Sequence, residues 1–219
     1  MHRALPNILT VYRLAAAPAL ALAYLAFDRP AADAAALLLF VSAAVTDWLD
    51  GKLARAWRVE SDFGRMMDPI ADKAMVVIAL AVLVMHTGPS FVSLIPAVAI
   101  LFREVAVSGL REFLAGRTEV PVSRLAKWKT GVQMAALALL FAWSWADERR
   151  ALLFHQLGPA DFVAMRSGEA PDERAVVLTD LAAQSLPWIG FGLLWIAAAL
   201  TLVTGYQYFR AAFAPRKEA

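Results

Sequence analysis

Four aspartates stand at spacings that could do metal chemistry. Asp47 and Asp50 are three residues apart, and Asp68 and Asp72 are four apart. On a helix each pair shares one face. The pairs lie at the margins of two apolar runs, Ala34–Val45 and Ala74–Met85. A carboxylate at the edge of a membrane span is costly unless it faces a polar cavity, a partner or a metal ion. If the two helix ends meet, four hard oxygen donors converge, a set suited to Mg²⁺ or Mn²⁺, alone or as a pair, and to a ligand carrying phosphates. Without cations the four carboxylates would repel one another strongly. Capping of helix ends accounts for one or two aspartates per end, but not for two same-face pairs. Gly51 and Gly64 allow close approach of a ligand, and Arg55, one turn beyond Gly51, could pair with a phosphate through both guanidinium arms.

The elements that must position these side chains are hydrophobic. The chain has 219 residues, 60% of them hydrophobic, and a mean hydropathy of +0.57. Its apolar residues fall in long runs, so the expected class is an all-α integral membrane protein with a polar, metal-containing cavity on one side. At roughly 20 residues per span the sequence predicts six transmembrane helices, near 8–27, 33–53, 69–86, 91–114, 126–146 and 183–209. With the amino terminus inside, 16 of the 21 lysines and arginines fall on the inner side and 5 on the outer. That asymmetry puts the aspartates on the cytoplasmic side. The whole of 1–219 reads as one domain, with an outer-side insertion at about 147–182 marked by turn signals at Gly158-Pro159, Ser167-Gly168 and Ala170-Pro171. Zero cysteines excludes disulfides and thiolate metal sites. The basic residues lie between spans rather than on a soluble face, which leaves nucleic-acid binding without support.

The run from Asp47 to Asp72 reads Asp-x₂-Asp-Gly-x₂-Ala-Arg-x₈-Gly-x₃-Asp-x₃-Asp. It resembles the full signature of the CDP-alcohol phosphotransferases, with every position filled: Asp47, Asp50, Gly51, Ala54, Arg55, Gly64, Asp68 and Asp72. The resemblance implies a membrane enzyme that takes a CDP-linked lipid or alcohol, passes the phosphate-bearing group to a second alcohol and releases CMP at a dinuclear Mg²⁺ or Mn²⁺ site. By the same likeness Asp47, Asp50 and Asp68 bind metal, Asp72 is the general base that also touches metal, and Gly51, Ala54, Arg55 and Gly64 shape the nucleotide pocket. The opening Pro6-Asn7-Ile8-Leu9-Thr10-Val11-Tyr12-Arg13 is similar to that of many bacterial members. Asn7, Thr10 and Arg13 form a polar stripe. The stripe is either a contact to the CDP pocket or an N-cap, a satisfied threonine and a snorkelling arginine.

Arg103-Glu104, Arg111-Glu112 and Ala126-Lys127-Trp128-Lys129-Thr130 sharpen the likeness to those members that join CDP-diacylglycerol to sn-glycerol 3-phosphate, the bacterial phosphatidylglycerophosphate synthases. Arg103 and Arg111 are about two turns apart and can face one cavity. Arg103, Arg111, Lys127 and Lys129 are read as a second anion pocket holding the acceptor's phosphate, against the alternative of ordinary positive-inside charge with Arg–Glu pairing. The likeness covers residues 5–146 and is weaker in the last span. It implies a homodimer in the bacterial inner membrane among membrane lipids, with amino terminus and active site facing the cytoplasm. Alternatives are the same chemistry with phosphatidylglycerol, inositol phosphate or serine as acceptor, an intramembrane prenyltransferase, or a cation transporter. The last needs charge near the middle of a span, whereas these aspartates lie at span ends.

Overall fold

The computed structural model describes residues 5–57, 62–114 and 124–213. Among these residues there are helices and connections but no strand. In order they are α1 (Leu5–Ala26), α2 (Ala31–Trp57), α3 (Asp62–Thr87), α4 (Phe91–Leu114), α5 (Arg124–Leu157), α6 (Pro159–Ser167) and α7 (Val176–Ala212). Arg3, Arg58, Arg117, Arg216 and Lys217, counted above as inner charges, lie outside the described residues.

Among the described residues four helical stretches are long and apolar enough to cross a membrane: Asn7–Ala26, Asp62–Thr87, Phe91–Leu114 and Val176–Ala212. The other two expected spans lie on α2, part of whose last turns falls outside the described side chains, and on α5. Acids and bases crowd the last turns of α2, and α5 opens on Arg124 and Lys129 and runs on through Asp147, Glu148, Arg149 and Arg150. The exterior carries many large apolar side chains, with Leu25 84% and Trp188 83% exposed and Phe91, Phe102, Val105 and Trp128 standing out beside them. That surface is the one a lipid solvent requires.

Small side chains set the spacing of the bundle. Its core draws Ala16, Ala17 and Leu20 from α1, Ala36, Phe40 and Ala43 from α2, and Met75, Ala79, Leu80 and Leu83 from α3. Ala97 and Ile100 of α4, Ala136, Leu137, Leu140 and Phe141 of α5, and Leu194, Ala197 and Ala198 of α7 complete it. Helices associating in lipid gain little from the hydrophobic effect, so close packing across alanine and glycine carries the association. At the tightest approach, between α5 and α7, a Cβ placed on Gly190 would come within 2.8 Å of the buried Leu140 side chain.

One end of the bundle is tied by a buried acid. Asp33 at the start of α2 is fully buried and accepts hydrogen bonds from Tyr24 of α1 (3.0 Å), Arg29 Nε in the connection (2.7 Å) and Ser144 of α5 (2.8 Å). These bonds fasten three helices at the end opposite the aspartate motif. Its supporting Arg29 also pairs with Glu148 at 3.2 Å.

The segment expected as an outer-side insertion at about 147–182 is largely helical. Helix α5 runs unbroken past Asp147 to Leu157, α6 follows the turn at Gly158, and only 168–175 separate it from α7. Leu153, Phe162 and Val176 bury themselves together to form a small second core. Asp172 caps α7, accepting from the backbone N–H groups of Val176 (2.6 Å) and Val177 (3.0 Å). Buried Asp180 takes Arg166 Nε at 2.9 Å, joining α6 to α7. Of the turn signals, Gly158-Pro159 and Ser167-Gly168 stand at helix ends, and Ala170-Pro171 lies in the connection at 168–175. At 37 residues α7 is roughly 55 Å long, well beyond a hydrocarbon core of about 30 Å.

Gly190→Val is expected to overpack the α5–α7 contact and to destabilise the protein by about 1–3 kcal/mol. The check is a thermal melt of the purified protein in detergent beside Gly192→Val, where a Cβ meets nothing within 4 Å. Equal melting temperatures for the two variants would refute the close approach.

Candidate active site

Helical periodicity carries the aspartates to a common place. Helix α3 begins at Asp62, seven residues before the expected span, so Gly64, Asp68 and Asp72 are all helical and Pro69 lies inside the helix. Asp47 projects from α2 and Asp68 and Asp72 from α3, and the three converge on one side chain of α1, Arg13. The guanidinium Nη1 donates to Asp47 and to Asp72 Oδ1 (2.6 Å), and Nη2 donates to Asp68 Oδ1 (2.7 Å). Thr10, one turn earlier on α1, adds a hydrogen bond to Asp68 Oδ1 at 2.8 Å. Arg13 is 3% exposed, while its three acids are about half open.

Thr10 and Arg13 are buried against the aspartates, so the arginine neither snorkels nor merely borders a pocket. Asn7 lies half-buried on the same helix. Asp50, Gly51, Ala54 and Arg55 occupy the last turns of α2, and Lys127 the first turn of α5, but their side chains lie outside the described set. Among the described residues no three or more His, Cys, Asp or Glu side chains surround a common ion position; the point shared by Asp47, Asp68 and Asp72 is held by the cationic guanidinium. The donor set nevertheless fits a hard cation. All the converging atoms are carboxylate oxygens, and a positive charge already sits between them.

Beside the acids opens a cavity of about 380 Å³, lined by Asp68, Asp72, Lys73, Arg103, Glu104, Arg111, Lys129, Thr130 and Gln133. Lys127 lies outside the described side chains, and Arg103, Arg111 and Lys129, the other three of the four basic residues expected around an anion, line this cavity together with Asp72. Glu104 organises it: Lys129 pairs with its carboxylate, and Arg103 Nη1 donates to it at 3.2 Å. Lys73 donates to Ser108 Oγ at 2.6 Å. Arg111 lies more openly, its guanidinium 5.4 Å from the centre of the Tyr208 ring. A smaller pocket of about 60 Å³, lined by Arg13, Ala43, Ala44, Asp47, Ala71, Asp72, Met75, Val76, Thr130 and Met134, lies on the other flank. Asp72, Val76 and Thr130 border both spaces.

Several contributors escape a sequence reading. Helix α7 seats Arg103: Thr204 Oγ1 accepts from Arg103 Nη2 at 3.4 Å, and Gly205 leaves room for the stem, since a Cβ there would stand 3.0 Å from Arg103 Cγ. Lys73 follows Asp72 in the chain, and its place was visible as one more basic residue near the motif. Nothing in the spacing of Gln133, Thr204 or Gly205 marks them out, because their relation to the site exists only across packed helices.

The chain as a whole is similar to known proteins. The sequence model of the CDP-alcohol phosphatidyltransferase family matches residues 3–203. A CDP-diacylglycerol–glycerol-3-phosphate 3-phosphatidyltransferase of Cereibacter sphaeroides is 48% identical over 214 residues, which is 97% of this chain and 96% of that protein. One of the same name from Rickettsia bellii is 40% identical over 208 residues, 94% of each chain. A cardiolipin synthase (CMP-forming) of Oryza sativa subsp. japonica is 40% identical over 151 residues, covering 63% of this chain and 45% of that one. The likeness to the two bacterial relatives extends through 147–182, where the motifs alone had shown a departure. With its aspartates, flanking cavity and apolar helices arranged as above, and matched along nearly its whole length, the chain belongs to the CDP-alcohol phosphatidyltransferase family.

Proposed function

We propose that the protein transfers the phosphatidyl group of CDP-diacylglycerol to sn-glycerol 3-phosphate, forming phosphatidylglycerophosphate and releasing CMP. The observation that carries this reading is the position of Asp72, on the wall of a cavity whose other walls bring Lys73, Arg103, Arg111 and Lys129 together. Four cations suit a dianionic phosphate, and the carboxylate beside them suits a hydroxyl on the same small molecule. Identities of 48% and 40% to bacterial proteins bearing that name support the same substrates.

The chemistry required of the chain is then limited. Arg103, Arg111 and Lys129, with Lys127 beside them in sequence, hold the acceptor's phosphate. Asp72 takes the proton of its terminal hydroxyl as that oxygen attacks the lipid-side phosphorus. The bond from that phosphorus to the bridging oxygen breaks, and its electron pair leaves with CMP. Gly51, Ala54, Arg55 and Gly64, with Asn7 and Thr10 on α1, shape the nucleotide's side of the site. A divalent ion or pair of ions, Mg²⁺ or Mn²⁺, held by Asp47, Asp50, Asp68 and Asp72, would neutralise the diphosphate and the charge that develops on the leaving group. In the absence of reacting ligands Arg13 answers the same electrostatic need. Most of the rate should come from orientation and fixed charge.

Six membrane spans, with α2 and α5 added to the four apolar helices, give the site a cytoplasmic address by the distribution of basic residues. A homodimer in a bacterial inner membrane belongs to the same reading. Phosphatidylglycerol as acceptor is a second reading, favoured by the name of the rice relative. A phosphodiester carries one negative charge, however, and makes weaker use of four cations than a phosphomonoester does.

In a purified-protein assay, CMP should appear from CDP-diacylglycerol with glycerol 3-phosphate and a divalent ion, and not after chelation. Phosphatidylglycerol, inositol phosphate and serine in its place should give much less. Asp72→Asn should lower turnover by about 10²–10⁴-fold, the range for a lost general base, while CDP-lipid binding persists. Near-normal CMP release by that variant would remove Asp72 from the role. Arg13→Gln should melt about 4–8 °C lower than the parent in chelator. This allows about 2 kcal/mol for acids left facing one another, reduced because they are half open to solvent. Added Mn²⁺ should close most of that gap. A gap indifferent to the metal would show that ion and guanidinium do not share the carboxylates.

A further inference from the structure

The wall of the large cavity includes one neutral polar side chain to which no role has been given. Gln133 lies on α5, one helical turn beyond Lys129 on the same face. It is 3% exposed, and its Oε1 is buried with no hydrogen-bond partner among the described residues. An amide kept in this state is expensive: a buried acceptor left unsatisfied costs about 1–3 kcal/mol. An apolar side chain of the same length would avoid that cost. Of the cations on the same cavity, Lys129 pairs with Glu104, Arg103 donates to Glu104 and Thr204, and Lys73 donates to Ser108, and none of these bonds reaches the amide.

An unpartnered carbonyl oxygen on a side chain that lines a cavity selects its ligand by chemistry. It needs a hydrogen-bond donor, which a fully ionised phosphate does not have. The hydroxyl that attacks phosphorus has one proton, and that proton goes to Asp72. The donor left over must be a second hydroxyl on the acceptor. We infer that Gln133 is the residue that reads the acceptor: its buried amide accepts a hydrogen bond from the secondary hydroxyl of a phosphorylated vicinal diol. The neighbouring cations hold that molecule's phosphate, and Asp72 faces its terminal hydroxyl. This rests on the acceptor reading given above and adds to it a reason for preferring glycerol 3-phosphate to alcohol phosphates that lack the middle hydroxyl.

The discriminating probe is 3-hydroxypropyl phosphate, which keeps the phosphate and the terminal hydroxyl and lacks only the secondary one. With CDP-diacylglycerol saturating, kcat/KM of the parent protein should be roughly 10- to 100-fold lower for this analogue than for glycerol 3-phosphate, as expected when a buried acceptor loses its donor. Gln133→Met, similar in length and without a hydrogen-bonding amide, should lose a like factor with glycerol 3-phosphate and little with the analogue. The ratio between the two acceptors should then fall towards one while KM for CDP-diacylglycerol stays put. A merely structural glutamine would lower both acceptors together and leave their ratio intact, which overturns the inference. Equal use of the two acceptors by the parent overturns it as well, and needs no variant should Gln133→Met fail to fold. If the parent releases no CMP with either phosphate, the acceptor reading fails first and takes the inference with it, so the two failures are told apart.

Discussion

Three carboxylates drawn to one point against their mutual repulsion are the constraint from which the rest of the structure follows. Asp47, Asp68 and Asp72 come from two helices, and they stay together because a third helix puts a guanidinium between them. A single unit charge shared by three acids leaves the cluster net negative. The acids are about half open and the arginine is nearly sealed, so the uncompensated charge faces the cavity side. An assembly of that kind attracts further cations, and through them the diphosphate of a nucleotide-capped lipid. Helices α1, α2 and α3 therefore cannot be rearranged without separating charge from countercharge. Their packing through alanines 16, 17, 36, 43 and 79 serves the same end by letting the backbones come close.

The two ends of the bundle use buried charge differently. Asp33 is closed off, with Tyr24, Arg29 and Ser144 meeting its oxygens, and it has a structural role in fastening α1, α2 and α5. The motif aspartates have one shared partner and open access. A fully satisfied acid far from a cavity holds helices together, and a partly satisfied one beside a cavity is available for ligands. Glu104 belongs between these cases. It is spent on Lys129 and Arg103, and in being spent it fixes the two cations at the wall of the cavity, where their remaining N–H groups are free to meet an anion.

Much of the site was legible in the chain because helical periodicity is a local rule. Once Asp68 and Asp72 are placed on a helix, their common face follows, and the same holds for Thr10 and Arg13 on α1. The resemblance supplied the roles. What could not be read was which helix meets which. The sequence leaves Arg13 open between a pocket contact and a snorkelling residue, and the packing of α1 against α2 and α3 turns it inward. Gly205 and Thr204 matter because α7 passes behind Arg103. Turn residues at Gly158 and Gly168 suggested a loop, although each merely ends a helix.

Asp72 shows why this architecture suits a transfer between two bound molecules. It lines the pocket next to Arg13 and Asp47 and also the cavity next to Lys129 and Arg103. A group that must collect a proton from one ligand while the other loses its leaving group has to stand on the boundary between their compartments. Asp68 is tied down by Thr10 as well as by Arg13, and Asp47 is absent from the lining of the large cavity. Of the described motif acids, only Asp72 borders both spaces, and its place on α3 one turn beyond Asp68 puts it there. The i, i+4 spacing that first drew attention to the pair thus divides their labour: the earlier acid is anchored among charges, and the later one reaches the acceptor.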